Sequence, residues 1–196
     1  MSSDSTLIFG PPGCGKTHTL IESVKEALAN GTPPDRIAFV SFTKKAIAEA
    51  TERACAAFNL TEKDLPYFRT LHSMAFRGLG LQSKDMMQRE DWSVLEDQLG
   101  VVFENSGGVS PDEGTIIPMG SGNGDRFIQL MTRAKYRLIS YEKEFNETGS
   151  YSMPFDLLGT ISTALEGYKS DLFKFDFVDL IERYIDEDVE SPSLDL

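Results

Sequence analysis

The residues from Gly10 to Thr17 have the types and the spacing of a loop that holds phosphate. They read GPPGCGKT and fit the pattern G-x-x-x-x-G-K-[ST]. Glycines let the backbone of such a loop turn so that successive N–H groups point at a phosphate, and the start of the following helix adds partial positive charge. Lys16 then reaches the β- and γ-phosphates of a nucleoside triphosphate, while the hydroxyl of Thr17 is a ligand for Mg²⁺. The loop therefore predicts nucleoside triphosphate binding, with Lys16 and Thr17 in the catalytic roles.

The other residues of this loop are predicted to line the nucleotide. Cys14 is interpreted as a small filler rather than a reactive thiol, and His18 as a residue of the first helical turn without a role as a base. The expected nucleotide-binding residues are Gly10, Pro11, Pro12, Gly13, Cys14, Gly15, Lys16, Thr17 and His18.

A phosphate loop of this kind needs a strand before it and a helix after it. The apolar run at residues 6–9 predicts a buried strand, and residues 36–42 predict a second one. Each is followed by apolar residues at helical spacing, and in the second helix Glu49 and Arg53 lie one turn apart. The apolar residues at helical spacing are Leu20, Ile21, Val24, Ala27 and Leu28 in the first helix, and one face of the second helix is formed by Ile47, Ala50, Ala54 and Phe58. This alternation predicts an α/β fold in which helices pack on a parallel sheet.

From residue 81 the pattern becomes mostly helical, interrupted at residues 105–124 by a segment with six glycines that predicts a mobile loop or a loose hairpin. We therefore divide the chain into the first part of a phosphate-loop core at 1–80, a helical insertion at 81–170 and a return to the core at 171–196. Apolar residues at helical spacing predict four helices, and those of the last helix are predicted to face inward. The four sets are Trp92, Leu95 and Leu99; Phe127, Met131, Ala134 and Leu138; Phe155, Leu158, Ile161, Leu165 and Tyr168; and Phe177, Leu180, Ile181, Tyr184 and Ile185.

A second group of side chains suited to binding follows the second predicted strand. Ser41, Phe42, Thr43 and Lys44 offer hydroxyls, an aromatic face and a cation at the carboxyl end of a parallel strand, where ligands bind in open α/β sheets. These residue types bind a single nucleic-acid strand, because a base of any kind can stack on the aromatic ring. Phe42 has an alternative place in the core, which the sequence leaves open.

Three further segments resemble those of UvrD/Rep-like superfamily 1 DNA helicases. Residues 39–54, FVSFTKKAIAEATERA, are similar to motif Ia of that family, and residues 68–77, FRTLHSMAFR, are similar to the DNA-contacting motif that follows it. Residues 175–184, FDFVDLIERY, resemble the segment that precedes the Asp-Glu strand of the family. With the phosphate loop, these matches cover about a quarter of the chain, and they are most similar to phage-type members.

This resemblance implies a RecA-like 1A core with a helical 1B-like insertion, ATP and Mg²⁺ as cofactors, and translocation on single-stranded DNA or at a junction of single and double strands. Replication or repair proteins are implied as partners, and the oligomeric state stays open. The resemblance also implies that Thr70 and His72 contact the DNA backbone; in the structural alternative Thr70 caps the next helix and His72 packs beside it. For Asp176 and Asp179 we favour helix capping over catalysis.

Two departures from the family pattern bear on activity. The glutamine-containing segment that reads adenine has no counterpart before the loop, so ATP specificity is implied by the family alone. The sequence ends at SPSLDL, where the family continues into a strand with Asp-Glu-x-Gln, so we expect the N-terminal part of a larger motor that hydrolyses ATP very slowly by itself. Two rival functions stay open, namely a small P-loop nucleotide kinase and a truncated, non-catalytic module that binds nucleotide or a partner protein.

Composition limits the remaining classes of protein. With 196 residues, of which 40% are hydrophobic, the chain is expected to fold rather than to be disordered throughout. The formal net charge of −12 belongs to the second half, because residues 1–80 are almost neutral, and a phosphate-binding surface in the first part is therefore compatible with it. No run approaches the roughly 18 apolar residues of a membrane span, and the N-terminus lacks a signal pattern. We expect a soluble protein of the bacterial or phage-infected host cytoplasm.

Overall fold

The computed structural model describes residues 6–11, 13–104, 122–148, 154–189 and 192–195. They form two compact units, the first from the described residues of 1–74 and 191–196 and the second from those of 75–190. The described elements in chain order are α1 (Lys16–Ala29), β1 (Phe39–Ser41), α2 (Lys44–Phe58), β2 (Phe68–Thr70), α3 (Leu71–Gly78), α4 (Arg89–Leu99), α5 (Asp125–Tyr136), α6 (Tyr141–Thr148), α7 (Phe155–Leu172) and α8 (Asp179–Asp186). Residues 171–189 therefore group with the helices before them, whereas the sequence places them with the core.

The two helices of the first unit are confirmed, and local residues fix their ends. Gly15 precedes α1 with φ 88°, and Gly31 follows it with φ 89°; a glycine adopts this left-handed conformation without strain. Helix α2 begins after Thr43, whose hydroxyl accepts a hydrogen bond from the N–H of Ala46 at 3.4 Å. The predicted ion pair on α2 is also present, with 2.7 Å between Arg53 Nη2 and Glu49 Oε1.

The core of the first unit lies between these helices and the sheet. The rings of Phe39 in β1 and Phe68 in β2 have their centroids 5.7 Å apart, and small residues on α2 allow α1 to approach closely. Burial of such apolar side chains is the main source of stability for a unit of this size. The buried residues of this core are Ile21, Val24, Ile37, Phe39, Ala50, Ala54, Leu65 and Phe68.

The predicted parallel sheet is present, but its first predicted strand is wrong. Strands β1 and β2 pair in parallel, and β1 is shorter than the predicted run because a 3₁₀ turn occupies Pro34–Arg36. Residues 6–9 lie outside any strand, and Leu7 and Phe9 are exposed. A strand needs a hydrogen-bonded neighbour, and the two strands of the described sheet pair with each other.

The second unit is helical, as predicted for most of its length. Two buried clusters hold it together, a large one between α4, α5 and α7 and a smaller one between α3 and α8. The longest helix, α7, has 18 residues. None of the helices in the described ranges combines the length and the apolar composition that a membrane crossing requires. Most of the segment predicted as a glycine-rich loop or hairpin lies outside the described residues.

Ile185, which was predicted to face inward, is exposed, and so are two apolar residues on which other helices were predicted, Leu138 and Phe155. Leu138 is 93% exposed and has φ 53°, because α5 has already ended at Tyr136. Phe155 is the first residue of α7, and Ile185 lies in the last turn of α8, where each side chain reaches beyond the packed part of its helix. Helix α6 was not predicted from the sequence; its single buried residue is an acid, Glu144.

The capping role predicted for Asp176 and Asp179 is confirmed. Oδ1 of Asp176 accepts hydrogen bonds from the N–H groups of Val178 and Asp179, and Oδ2 of Asp179 accepts one from the N–H of Asp176 at 2.8 Å. Lys169 of α7 and Lys135 of α5 reach the Asp179 carboxylate at 2.9 Å. Although burial opposes ionisation, these two cations hold the pKa of Asp179 below its usual value. The cluster thereby joins α8 to α5 and α7.

Basic residues of α5 that the sequence left unassigned are engaged by α6. Glu144 is fully buried, and its carboxylate contacts Arg133 Nε at 3.0 Å and Arg137 Nη1. Arg137 also pairs with Glu147. The charges of Arg133 and Arg137 are therefore compensated within the protein.

Candidate functional site

The backbone of the phosphate loop adopts conformations that its glycines make possible. Gly13 and Gly15 have φ 81° and 88°, in the left-handed region where a side chain is strained. A side chain on Gly10 would collide with Sγ of Cys14. Cys14 therefore fills the inside of the turn, as expected of a small residue, although it is exposed as a whole. Pro12, another predicted member of the loop, lies outside the described residues.

Lys16 folds back across the loop that precedes it. Its Nζ donates to the carbonyl oxygens of Gly10 at 2.7 Å and Pro11 at 2.8 Å, and it lies 3.6 Å from Sγ of Cys14. Neutral carbonyls are weaker partners for an ammonium group than phosphate oxygens, which carry charge. The ammonium is thus held at the loop by contacts that a phosphate can replace. Thr17, the next residue of α1, is exposed.

His18 lies in the first turn of α1, as predicted, and it also makes a contact that the sequence did not indicate. Its Nδ1 is 3.3 Å from Nη1 of Arg53 on α2, the same guanidinium that pairs with Glu49. The two residues are 35 positions apart, and no local pattern signals a contact over that distance. His18 and Arg53 link the helix after the phosphate loop to the helix after β1.

The predicted residues at the ends of the two strands are brought side by side. In the parallel register Ser41 is the partner of Thr70, so both strands end at the same edge of the sheet. Oγ of Ser41 accepts a hydrogen bond from the N–H of Thr43 at 3.3 Å. Phe42 is 75% exposed, which excludes the alternative that it belongs to the core. Lys44, the first residue of α2, is also exposed.

Thr70 and His72 are placed as the structural alternative describes them. Thr70 is buried, and its Oγ1 accepts a hydrogen bond from the N–H of Ser73 at 3.2 Å, which caps α3. His72 is 7% exposed. Burial lowers the pKa of His72 to about 4, so the imidazole is neutral at pH 7. Both side chains fix the turn from β2 into α3.

The exposed side chains at this edge are therefore Phe42, Thr43 and Lys44, next to the half-buried Ser41. The phosphate loop at the start of α1 belongs to the same unit. In the parts of the chain that the structure describes, no group of three or more His, Cys, Asp or Glu side chains is arranged to hold a metal ion. A loop with a helix N-terminus and a lysine suits phosphate, and an exposed aromatic beside hydroxyls and a cation suits a nucleic-acid strand.

Comparison with known proteins agrees with this chemistry. Residues 1–190 match the family model described as UvrD/REP helicase N-terminal domain. No curated protein and no solved structure matches the chain. The family match covers the phosphate loop, both strand ends and the helices of the second unit.

Proposed function

The chain belongs to the UvrD/REP helicase N-terminal domain family, and on that premise we propose that it binds ATP with Mg²⁺ at its phosphate loop and single-stranded DNA at the end of β1. The P-loop NTPase fold and a helicase-related use of ATP follow from the family. The assignment to these residues is our proposal. The observation that carries it is the exposure of Phe42 directly after β1, in the same unit as the phosphate loop.

The nucleotide half of the proposal is supported by the loop geometry. Lys16 is already at the loop, and a triphosphate would exchange its contacts with Gly10 and Pro11 for charged oxygens. Backbone N–H groups at the start of α1 and the partial positive charge of the helix favour the same ligand. Bound Mg²⁺ would offset phosphate charge, with Thr17 as its protein ligand. The sequence contains no Asp-Glu-x-Gln, so we expect hydrolysis by these 196 residues to be very slow.

The DNA half of the proposal is supported by the strand ends. A base would stack on Phe42. Such stacking contributes about 1–3 kcal/mol per base to binding and does not depend on the nucleotide sequence. Ser41, Thr43 and Lys44 would contact the sugar-phosphate backbone. Thr70 and His72, which the family resemblance assigns to DNA contacts, are buried, and we propose that they act by holding the neighbouring turn. A single strand or a junction is then gripped at the edge where β1 and β2 end.

The finer architecture follows as part of this proposal. The first unit would belong to the 1A part of a RecA-like core, residues 81–170 would be its 1B-like helical insertion, and residues 171–196 would lead back to the core. Such a protein would act on bacterial or phage DNA in the cytoplasm, with replication or repair proteins as partners.

The proposal is tested by binding of a fluorescent ATP analogue and of a labelled oligonucleotide to the chain. Lys16→Ala should abolish analogue binding, whereas Lys25→Ala, on the same helix and paired with Glu22 at 2.7 Å, should leave it unchanged. Phe42→Ala should weaken oligonucleotide binding by roughly tenfold. Phe173→Ala removes a phenyl ring of similar exposure, 79%, from the second unit and should have no effect.

Each half of the proposal can fail separately. If the analogue binds and the oligonucleotide does not, even at low salt, the DNA assignment is wrong and the chain is a nucleotide-binding module. Transfer of phosphate from ATP to a nucleoside monophosphate would identify a kinase instead.

A further inference from the structure

Three side chains join the first turn of α1 to the middle of α2. Arg53 places Nη1 at 3.3 Å from Nδ1 of His18 and Nη2 at 2.7 Å from Oε1 of Glu49. A guanidinium group can only donate, so Nδ1 of His18 is the acceptor and carries no proton in this contact. Arg53 thus contacts both partners through two different nitrogens held in one plane, a geometry that the single nitrogen of a lysine does not reproduce.

The contact connects two helices that are already packed closely. Ile21 and Val24 of α1 and Ala50 and Ala54 of α2 are buried in one core, and the small alanines leave little room between the helix backbones. His18 and Arg53 extend this packing from the core towards the phosphate loop. The contact therefore links the first turn of α1 directly to α2.

The charges around the contact belong to the same two helices. Glu22, one turn after His18, pairs with Lys25. The hydrogen bond from Lys25, together with the positive charges of Lys25 and Arg53, lowers the pKa of Glu22. Glu22 thus faces the His18–Arg53 contact from α1, and Glu49 faces it from α2.

We propose that Arg53 is a positioning residue that couples the phosphate loop to the DNA-binding end of β1 through His18. This proposal rests on the proposed function, because it links the two ligands assigned there. A triphosphate replaces the contacts of Lys16 with Gly10 and Pro11, and this rearranges the first turn of α1, where His18 lies. Arg53 transmits the change to α2, whose first residue, Lys44, follows Ser41, Phe42 and Thr43 directly.

The test is the linkage between the two ligands, measured as the ratio of oligonucleotide affinities with and without a non-hydrolysable ATP analogue. We expect His18→Ala and Arg53→Ala each to reduce this ratio by about 2- to 5-fold, the range of one exposed charged contact. The double variant should lose no more than either single variant. The affinity for the analogue alone should change by less than about twofold in Arg53→Ala.

Conservative variants separate this role from a merely structural one. His18→Gln keeps a side-chain acceptor and should retain the linkage, whereas Arg53→Lys keeps the charge but not the two-pronged geometry and should lose it. Lys25→Ala is the matched control, because it removes another surface ion pair of α1 without touching Arg53. A linkage that is unchanged in Arg53→Ala, or equally reduced in Lys25→Ala, overturns the proposal.

A second measurement tests the coupling between α1 and α2 independently of whether DNA binds at the end of β1. Amide hydrogen exchange of Ala46 and Ile47, in the first turn of α2, is compared with and without the ATP analogue. We expect the analogue to alter exchange in the wild type and not in Arg53→Ala, whether or not DNA binds. If the analogue changes the exchange equally in the wild type and in a folded Arg53→Ala protein, the coupling is contradicted. This holds even if oligonucleotide binding is normal.

Discussion

Ser41 and Thr70 are register partners at the ends of the two parallel strands, and each accepts a backbone hydrogen bond from the turn that follows it. Ser41 receives the N–H of Thr43, and Thr70 receives the N–H of Ser73. The two turns into α2 and α3 are therefore fixed at one edge of the sheet. This arrangement exposes Phe42 at one strand end while it buries His72 at the other.

The cap at the end of β2 is expected to contribute measurably to stability. Thr70→Val keeps the shape of the side chain but leaves the buried N–H of Ser73 without its acceptor, so the free energy of unfolding should fall by about 1–2 kcal/mol. Thr70→Ser keeps the hydroxyl and should retain most of that energy. Urea unfolding of the three proteins, followed by circular dichroism, measures the difference. If the Thr70→Val protein were as stable as the wild type, the hydrogen bond from Ser73 to Thr70 would not contribute to stability.

Stability should fall in mild acid because of His72. Its folded pKa of about 4 lies below the usual 6.5, so the unfolded chain binds the proton more readily between these values. Above pH 6.5, His72 leaves the free energy of unfolding undiminished. At pH 5.5 its protonation in the unfolded chain lowers the free energy of unfolding by about 1.4 kcal/mol, and below pH 4 by about 3 kcal/mol.

The comparison that isolates this effect removes the imidazole of His72. Unfolding of His72→Gln, measured between pH 7.5 and 5.5, should show a flatter stability profile than the wild type. Phe173→Ala, which changes an exposed side chain without a titratable group, should keep the wild-type slope. Identical slopes in all three proteins would mean that His72 does not control acid sensitivity in this range.

Glu144 should make the α5–α6 pairing dependent on two arginines. The double change Arg133→Ala and Arg137→Ala removes both cations from a carboxylate with 0% exposure, and an uncompensated buried charge costs about 3–5 kcal/mol. Each single variant should cost less, since one cation remains. Thermal unfolding with Lys143→Ala as control checks this, because Lys143 is 59% exposed and its loss should shift stability by less than about 0.5 kcal/mol.

The phosphate loop should not tolerate a side chain at Gly15. Gly15→Ala places an alanine at φ 88°, which costs about 1–2 kcal/mol unless the loop changes shape, so affinity for a labelled ATP analogue should fall by roughly tenfold. The matched control is Gly159→Ala in α7, where the added methyl group meets nothing within 4 Å. That variant should gain about 0.5–1 kcal/mol of stability and bind the analogue normally. Equal analogue affinity in both variants would contradict the role of Gly15.

Short-range patterns in the sequence were sufficient for much of the first unit. The glycine spacing of the loop and the helical spacing of the apolar residues each act within a few residues, so they predicted the loop and the helices α1 and α2. The same holds for the Asp176 and Asp179 cap and for the Glu49–Arg53 pair. By contrast, residues 6–9 have the composition of a strand, but composition supplies no pairing partner.

Tertiary structure decided the features that depend on distant residues. Whether Phe42 is core or surface depends on what packs around the end of β1, and the partnership of Ser41 with Thr70 depends on the register of two strands. The contact of His18 with Arg53 and the burial of Glu144 between two arginines bring together residues that no local pattern relates. The sequence by itself determined the phosphate loop and its helix, because those interactions are local. Packing in three dimensions decided which side chains meet and which stay exposed.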